Sequence, residues 1–147
     1  MDSAAGDGNE TAYNLVRILV DRNSAQGSGG GIYVADNAGD VYIESSVIHS
    51  NSASSGGGIL LGAPAVNQSY YLVKSNVSHN SASNGAGLYF SCSSSGPGKH
   101  GHILIVESYV SSNLADNSGT YNTNLTFNVY QQSLSQLLSM PATIITT

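Results

Sequence analysis

Charge is the scarcest ingredient of this 147-residue sequence, with Asp, Glu, Lys and Arg together making up only 9% of it, against roughly a quarter in an average soluble domain. Four of these residues are basic and the formal net charge is −5, which argues against a nucleic-acid partner, since phosphate binding needs clustered Lys and Arg. The only cysteine, Cys92, leaves no intrachain disulfide and no redox compartment to read. No apolar run reaches the length of a membrane span. The opening "MDSAAGDGNET" lacks the basic and apolar regions of a signal peptide, which favours a segment of a longer precursor over a protein kept inside the cell. What takes the place of charge is a polar mixture of Ser, Asn and Gly. With 40% hydrophobic residues, the chain holds enough apolar surface for a core, which argues against disorder through lack of apolar content. The length allows one domain or a piece of a larger one.

That polar mixture is not random. The phrase "NSASSGGGIL" at 51–60 has an earlier version, "NSAQGSGGGIYV" at 23–34, and a later one, "NSASNGAGLYF" at 80–90. Aligned on the Asn of Asn-x-Ala, the anchors are Asn23, Asn51, Asn80 and Asn113, spaced by 28, 29 and 33 residues. Val20, Ile48, Val77 and Val110 stand three residues before them, and Ser46, Ser75 and Ser108 five before the last three, with Ile18 in the first copy. Strand-like runs precede each anchor ("NLVRI", "VYIES", "YYLVKS", "HILIVES"), and a glycine cluster and a second run follow it. The fourth copy keeps only "NSGTYN" after its anchor.

No copy has a helical period, and its apolar residues are β-branched or aromatic, so each unit reads as two or three short strands between tight turns. One such unit cannot bury its apolar side, but a stack of them can. Equivalent residues then lie about 4.8 Å apart and form columns. The expected fold is all-β, a right-handed parallel β-helix of about four coils, with a short helical or irregular C-terminal segment. Residues 1–11 read as a disordered or linker N-terminus, 12–121 as the coils, and 122–147 as a strand or helix segment able to cap them. Leu134, Leu137 and Leu138 stand at helical spacing there, ending near Pro141. Asn23, Asn51, Asn80 and Asn113 are expected to form a ladder of side-chain amides, at a corner whose left-handed backbone Asn tolerates. Gly31, Gly58 and Gly87 supply positive φ, or room, at the next corner.

The motifs "VDRN", "IHSN", "VSHN" and "VSSN", paired with "GGGI" at 29–32 and 56–59 and "GAGL" at 85–88, closely resemble the repeats of polymorphic outer-membrane proteins. Those are surface adhesins of the autotransporter type, and the resemblance covers roughly residues 12–121. More broadly the coils look like the right-handed parallel β-helix of the pectate-lyase superfamily. The same coils carry adhesins, lyases and structural spines, so the resemblance speaks for architecture more than for activity.

Candidate sites are few. Arg17, Glu44, Lys74 and Glu107 close the first strand of each coil with alternating sign, a pattern that fits neighbouring surface ion pairs. Strand alternation turns Tyr33, Leu60 and Tyr89 outward, as a column that could stack sugar rings or pack under a partner. His49 and His79 differ in position relative to their anchors, so stacking does not pair them. His100 and His102 sit in the insertion "SSSGPGKHGH". A metal site needs more ligands at matched spacing, and Asp21, Asp36, Asp40 and Asp116 are too scattered for a calcium nonapeptide. No catalytic residues, metal or cofactor are assigned. Four Asn-x-Ser/Thr triplets, at Asn9, Asn67, Asn76 and Asn124, are about what so Asn- and Ser-rich a chain yields by chance and do not decide localisation.

These features favour a non-catalytic extracellular β-helix segment of a surface or adhesin-like protein. It would serve as a spine that can bind carbohydrate or a cell-surface protein, and that can self-associate through uncapped coil ends. The alternatives are a fragment of a carbohydrate-active β-helix enzyme whose catalytic coils lie elsewhere, and a cytoplasmic assembly module.

Overall fold

A computed structural model describes residues 12–36, 38–64, 68–90, 102–115, 122–127 and 132–133, the last two stretches by their backbone only. Among these residues there is no helix, and the strands stack as a parallel β-solenoid. The first coil contributes β1 (Ala12–Val16), β2 (Leu19–Asp21) and β3 (Ile32–Val34). The second contributes β4 (Asp40–Glu44), β5 (Val47–His49), β6 (Ser52–Ser55) and β7 (Ile59–Leu61). The third repeats this with β8 (Ser69–Val73), β9 (Asn76–Ser78), β10 (Ser81–Asn84) and β11 (Leu88–Phe90). The fourth has β12 (His102–Val106) and the longer β13 (Ser108–Ala115). Among the described residues, three coils therefore carry all three faces and a fourth contributes β12 and β13, roughly consistent with the expected four.

Equivalent strands pair in parallel: β1-β4-β8-β12 on one face, β2-β5-β9-β13 on the next, and β3-β7-β11 on the last. β13 turns along two faces, since its first half pairs with β9 while Leu114 and Ala115 pair with Ser81 and Ala82 of β10. Two further strands, β14 (Asn122–Phe127) and β15 (Gln132–Ser133), run antiparallel to β13 and β12. They cover edges of the last coil, whereas β1, β2 and β3 end their sheets at the first. The leucines expected to form a C-terminal helix, Leu134, Leu137 and Leu138, lie outside the described residues.

Alternation and register together build the core. Val41, Tyr70 and Ile103 form one inward column, Ile43, Leu72 and Ile105 another, and Ile48, Val77 and Val110 a third. Ile59 and Leu61 close the interior from the third face. Burying each of these side chains contributes about 1.5–3 kcal/mol. The first coil has no coil before it among the described residues, and Tyr13, in register with the buried Val41, is 50% exposed.

Two corners in each coil use left-handed backbone at residues other than glycine. One corner holds Arg17, Ser45, Lys74 and Glu107, and the other Arg22, Ser50, His79 and Ser112, with φ between 48° and 56°. The second set corrects the sequence reading: the residue before each asparagine takes the left-handed conformation, and the asparagine does not. Such a conformation costs on the order of 1 kcal/mol and persists only where surrounding contacts hold it. Here the amides of Arg22, Ser50 and His79 each donate to a carbonyl of the following coil, those of His49, Ser78 and Ser111.

The asparagine that follows uses its side chain in place of a strand partner. Asn80 Oδ1 accepts from the Asn51 backbone N–H (2.8 Å) and from Asn51 Nδ2 (3.0 Å). Asn80 Nδ2 donates to the Ile48 carbonyl (3.0 Å) and to Asn113 Oδ1 (3.0 Å). Asn51 and Asn113 make the equivalent bonds to the coils before them. Asn51, Asn80 and Asn113 are all buried, and Asn23 in the first coil is exposed. Ser46, Ser75 and Ser108 do similar work at the other corner. Each hydroxyl accepts the backbone N–H of residue 18, 46 or 75 in the preceding coil and donates to nearby carbonyls. Side chains in both columns serve the coil before them, which is why Ile18 can replace serine in the first coil.

The glycines divide into two roles, and the sequence reading assigns one of them to the wrong residues. Positive φ falls on Gly29, Gly56 and Gly85, the first of each cluster, and not on Gly31, Gly58 or Gly87. The last three are required by packing. A Cβ on Gly31, Gly58 or Gly87 would lie 2.9, 2.8 or 2.6 Å from Nδ2 of Asn51, Asn80 or Asn113. The glycine of one coil therefore makes the space that the asparagine of the next coil fills.

This directionality is testable. Replacing Asn80 by Leu leaves the Asn51 N–H and the Ile48 carbonyl buried without partners, an expected loss of about 3–5 kcal/mol. Replacing Asn23 by Leu removes only one donor to Asn51 Oδ1, which keeps the Asn23 backbone N–H, and should cost less than about 1 kcal/mol. Equal denaturation midpoints for the two variants would contradict the one-way service between coils.

Candidate functional site

Among the described residues, no group of three or more His, Cys, Asp or Glu side chains is placed to hold a metal ion. No described helix is long and apolar enough to cross a membrane. Among the described residues, a small apolar gap is lined by Val41, Ile43, Ile59, Leu61 and Leu72 among others. The candidate residues named by the sequence stand on the outer faces and corners.

The alternating charge column does not form as a run of four. The corner position is occupied by Arg17, Ser45, Lys74 and Glu107. Glu44 is the last residue of β4, one step earlier, in register with Val16 and Val73. All four corner residues stand six before their anchors, so the second coil contains no bulge and simply carries serine at the corner. Lys74 Nζ and Glu107 Oε2 are 3.8 Å apart, with 59% of each side chain exposed. Such a pair is worth roughly 0–1 kcal/mol.

Tyr33, Leu60 and Tyr89 do share one column, since Tyr33 and Tyr89 both stand opposite Leu60 in the third sheet. Their exposure differs. Tyr33 is 60% exposed and Leu60 only 4%, and Tyr89 is half-buried. The expectation of an open Tyr-Leu-Tyr face is corrected at Leu60. A tyrosine on the coil to either side, one inter-strand spacing away, flanks the shorter leucine. Tyr33 remains as the open end of that face.

The histidines differ more from the sequence reading. His49 and His79 have ring centroids 4.9 Å apart, tilted by 51°. Register alone would place His49 opposite Ser78. His79 follows Ser78 on a left-handed corner residue, which takes its side chain out of strand alternation and beside His49. His49 Nδ1 lies 3.1 Å from Asp21 Oδ1 and 2.8 Å from Ser50 Oγ, while Asp21 Oδ2 lies 3.4 Å from Arg22 Nε. Asp, His and Ser are thus adjacent without forming a nucleophilic relay, because Ser50 Oγ lies closer to Nδ1, the nitrogen Asp21 faces, than to Nε2 (2.8 against 3.5 Å), whereas a relay needs one partner on each nitrogen. His102 sits in β12, half-buried, and its buried Nδ1 has no hydrogen-bond partner among the described residues. His100 lies outside them.

One feature escapes a reading by motif. Tyr42 and Tyr71 stack on the outer side of the first sheet, centroids 4.4 Å apart and rings within 4° of parallel. Both stand nine residues before their anchors, Asn51 and Asn80, so alignment on the repeat could have found the pair. Burial first, then the adjacent Tyr71 phenol and the Asp40 carboxylate, hold the Tyr42 phenol above its ordinary value.

With that geometry in view, residues 17–35 match the Chlamydia polymorphic membrane protein (Chlamydia_PMP) repeat. The match runs from the Arg17 corner through β2, Asn23 and the first glycine cluster to the end of β3, and the later coils repeat that geometry. The chain is accordingly a β-solenoid whose coils resemble those repeats, and the match suggests the repeat region of a surface or outer-membrane protein. No curated protein and no solved structure matches the chain.

The tyrosine pair gives a pH prediction. Unfolded phenols titrate near about 10. Folded Tyr42 keeps its proton to higher pH, so its contribution is intact below that value and is lost as pH rises through the folded one. Tyr71→Phe should bring Tyr42 ionisation down part of the way and shrink the alkaline loss of stability. Spectrophotometric titration of tyrosinate in both proteins checks this, and coincident curves would refute the coupling.

Proposed function

We propose that this chain is a non-catalytic β-solenoid segment of a protein displayed at the cell surface, and that it presents an outer strand face to a carbohydrate or protein partner. The observation that carries the reading is the repeat match at residues 17–35, set on a coil geometry that recurs down the stack. The distribution of polar chemistry supports it. The buried amides and hydroxyls serve neighbouring coils, and the outward columns are left to vary. Tyr33, Tyr109 and Leu19 are more than half exposed on those columns. Large exposed aromatic and apolar side chains suit a contact surface. Such a segment would act within a longer precursor, outside the cell.

A glycan and polysaccharide panel together with intact host cells tests the proposal. Binding without any released product is expected, and Tyr33→Ser should weaken it by tenfold or more while leaving the thermal midpoint unchanged, since Tyr33 is exposed. Cleavage of a bound polysaccharide would replace this reading with a carbohydrate-active enzyme. Failure to bind any glycan or cell surface would overturn it.

A further inference from the structure

The His49–His79 contact is absorbed neither by coil stacking nor by the proposed surface role. We infer that these two imidazoles form a site for a borderline divalent transition metal such as Zn2+, with Asp21 orienting His49. The two residues come from consecutive coils, and their rings are 4.9 Å apart between centroids. His49 Nδ1 faces the Asp21 carboxylate at 3.1 Å and Ser50 Oγ at 2.8 Å, while Nε2 has only the longer Ser50 contact at 3.5 Å; the carboxylate favours the hydrogen on Nδ1, which would leave the lone pair on Nε2. A metal-binding histidine commonly has this arrangement, with its second nitrogen donating to a carboxylate that fixes tautomer and ring orientation. Asp21 itself is spoken for, since one oxygen faces His49 and the other faces Arg22 Nε at 3.4 Å, so the protein would supply two ligands only and no group of three is present among the described residues.

Accessibility fits as well. The His49 side chain is 37% exposed, and His79 stands exposed on its corner. Tetrahedral zinc holds ligand nitrogens at roughly 2.0–2.1 Å, and therefore roughly 3.3 Å from each other. An exposed His79 can reach that separation by rotating its side chain, with water completing the coordination sphere. The nearby charges are the Asp21 carboxylate and the Arg22 guanidinium, and the Arg22 side chain is 81% exposed, so solvent screens its repulsion. Imidazole pairs favour zinc, copper and nickel over magnesium, which prefers oxygen ligands. Bound metal would tie the second coil to the third at the Asn80 corner, where the backbone is in its left-handed conformation.

Isothermal titration of the full chain with ZnCl2 in chelator-free buffer tests the inference. One zinc per chain is expected, with no heat from MgCl2, and zinc should raise the thermal midpoint. His49→Gln and His79→Gln should each weaken binding by more than tenfold, and Asp21→Asn by about 10–100-fold. His102→Gln should bind like the parent. Circular dichroism would confirm that each variant retains its strands. The site is overturned if the parent takes up no zinc or if His79→Gln binds as tightly as the parent. Unchanged affinity in Asp21→Asn would overturn the orienting role. None of these outcomes depends on glycan or cell binding, so this inference and the surface proposal can fail separately.

Discussion

A chain that turns a corner within a stack of parallel strands leaves a backbone N–H and a C=O between two sheets with no strand to pair them, and the side-chain amide of a buried asparagine takes up both. Each carboxamide accepts the N–H of the preceding asparagine and donates to the carbonyl three residues before that one. The amides of Asn51 and Asn80 also bond to the next asparagine, so all four of their bonds are satisfied inside the stack. A buried polar group left without partners costs on the order of 1–3 kcal/mol, and a solenoid with a corner in every coil would otherwise meet that cost at each one.

Several other features follow from this arrangement. The amide needs space, and Gly31, Gly58 and Gly87 are where that space is made. It also needs a tight approach path, which the left-handed residue just before each asparagine supplies. Serine hydroxyls meet the same need at the preceding corner with a smaller group. Because neutral amides and hydroxyls satisfy the corners, the fold needs little charge, and the Lys74–Glu107 pair sits exposed, where it stabilises little.

Coil stacking constrains the inward columns and the corners and leaves the outward columns free. That separation lets one architecture carry unrelated functions, and it places the informative surface features outside the repeat consensus. The Tyr42–Tyr71 stack and the His49–His79 contact each join residues of two coils. Tyr33, Leu60 and Tyr89 share a column yet present one open ring, one buried leucine and one half-buried ring.

Much of the architecture was legible in the sequence, because a fold made of repeats writes its period into the chain. The spacing of Asn23, Asn51, Asn80 and Asn113, with strand-like runs between, is enough to infer parallel coils and to say which residues stack. Alternation within those runs is enough to separate core residues such as Ile48 and Val77 from outward ones such as Tyr33. Three things required the tertiary structure. Which residue turns left-handed is a matter of backbone dihedrals, so composition pointed to asparagine and to the last glycine of each cluster, while positive φ fell on Arg22, Ser50 and His79 and on the earlier Gly29, Gly56 and Gly85. Why Gly58 must lack a side chain depends on the next coil, where the Gly87 carbonyl and the Asn80 amide, 29 and 22 residues away, occupy the space a Cβ would need. The meeting of His49 and His79 depends on a corner that breaks strand alternation, and residues offset by one position in the repeat then touch. A one-dimensional period determines which residues share a level of the stack; only the folded backbone decides where their side chains point.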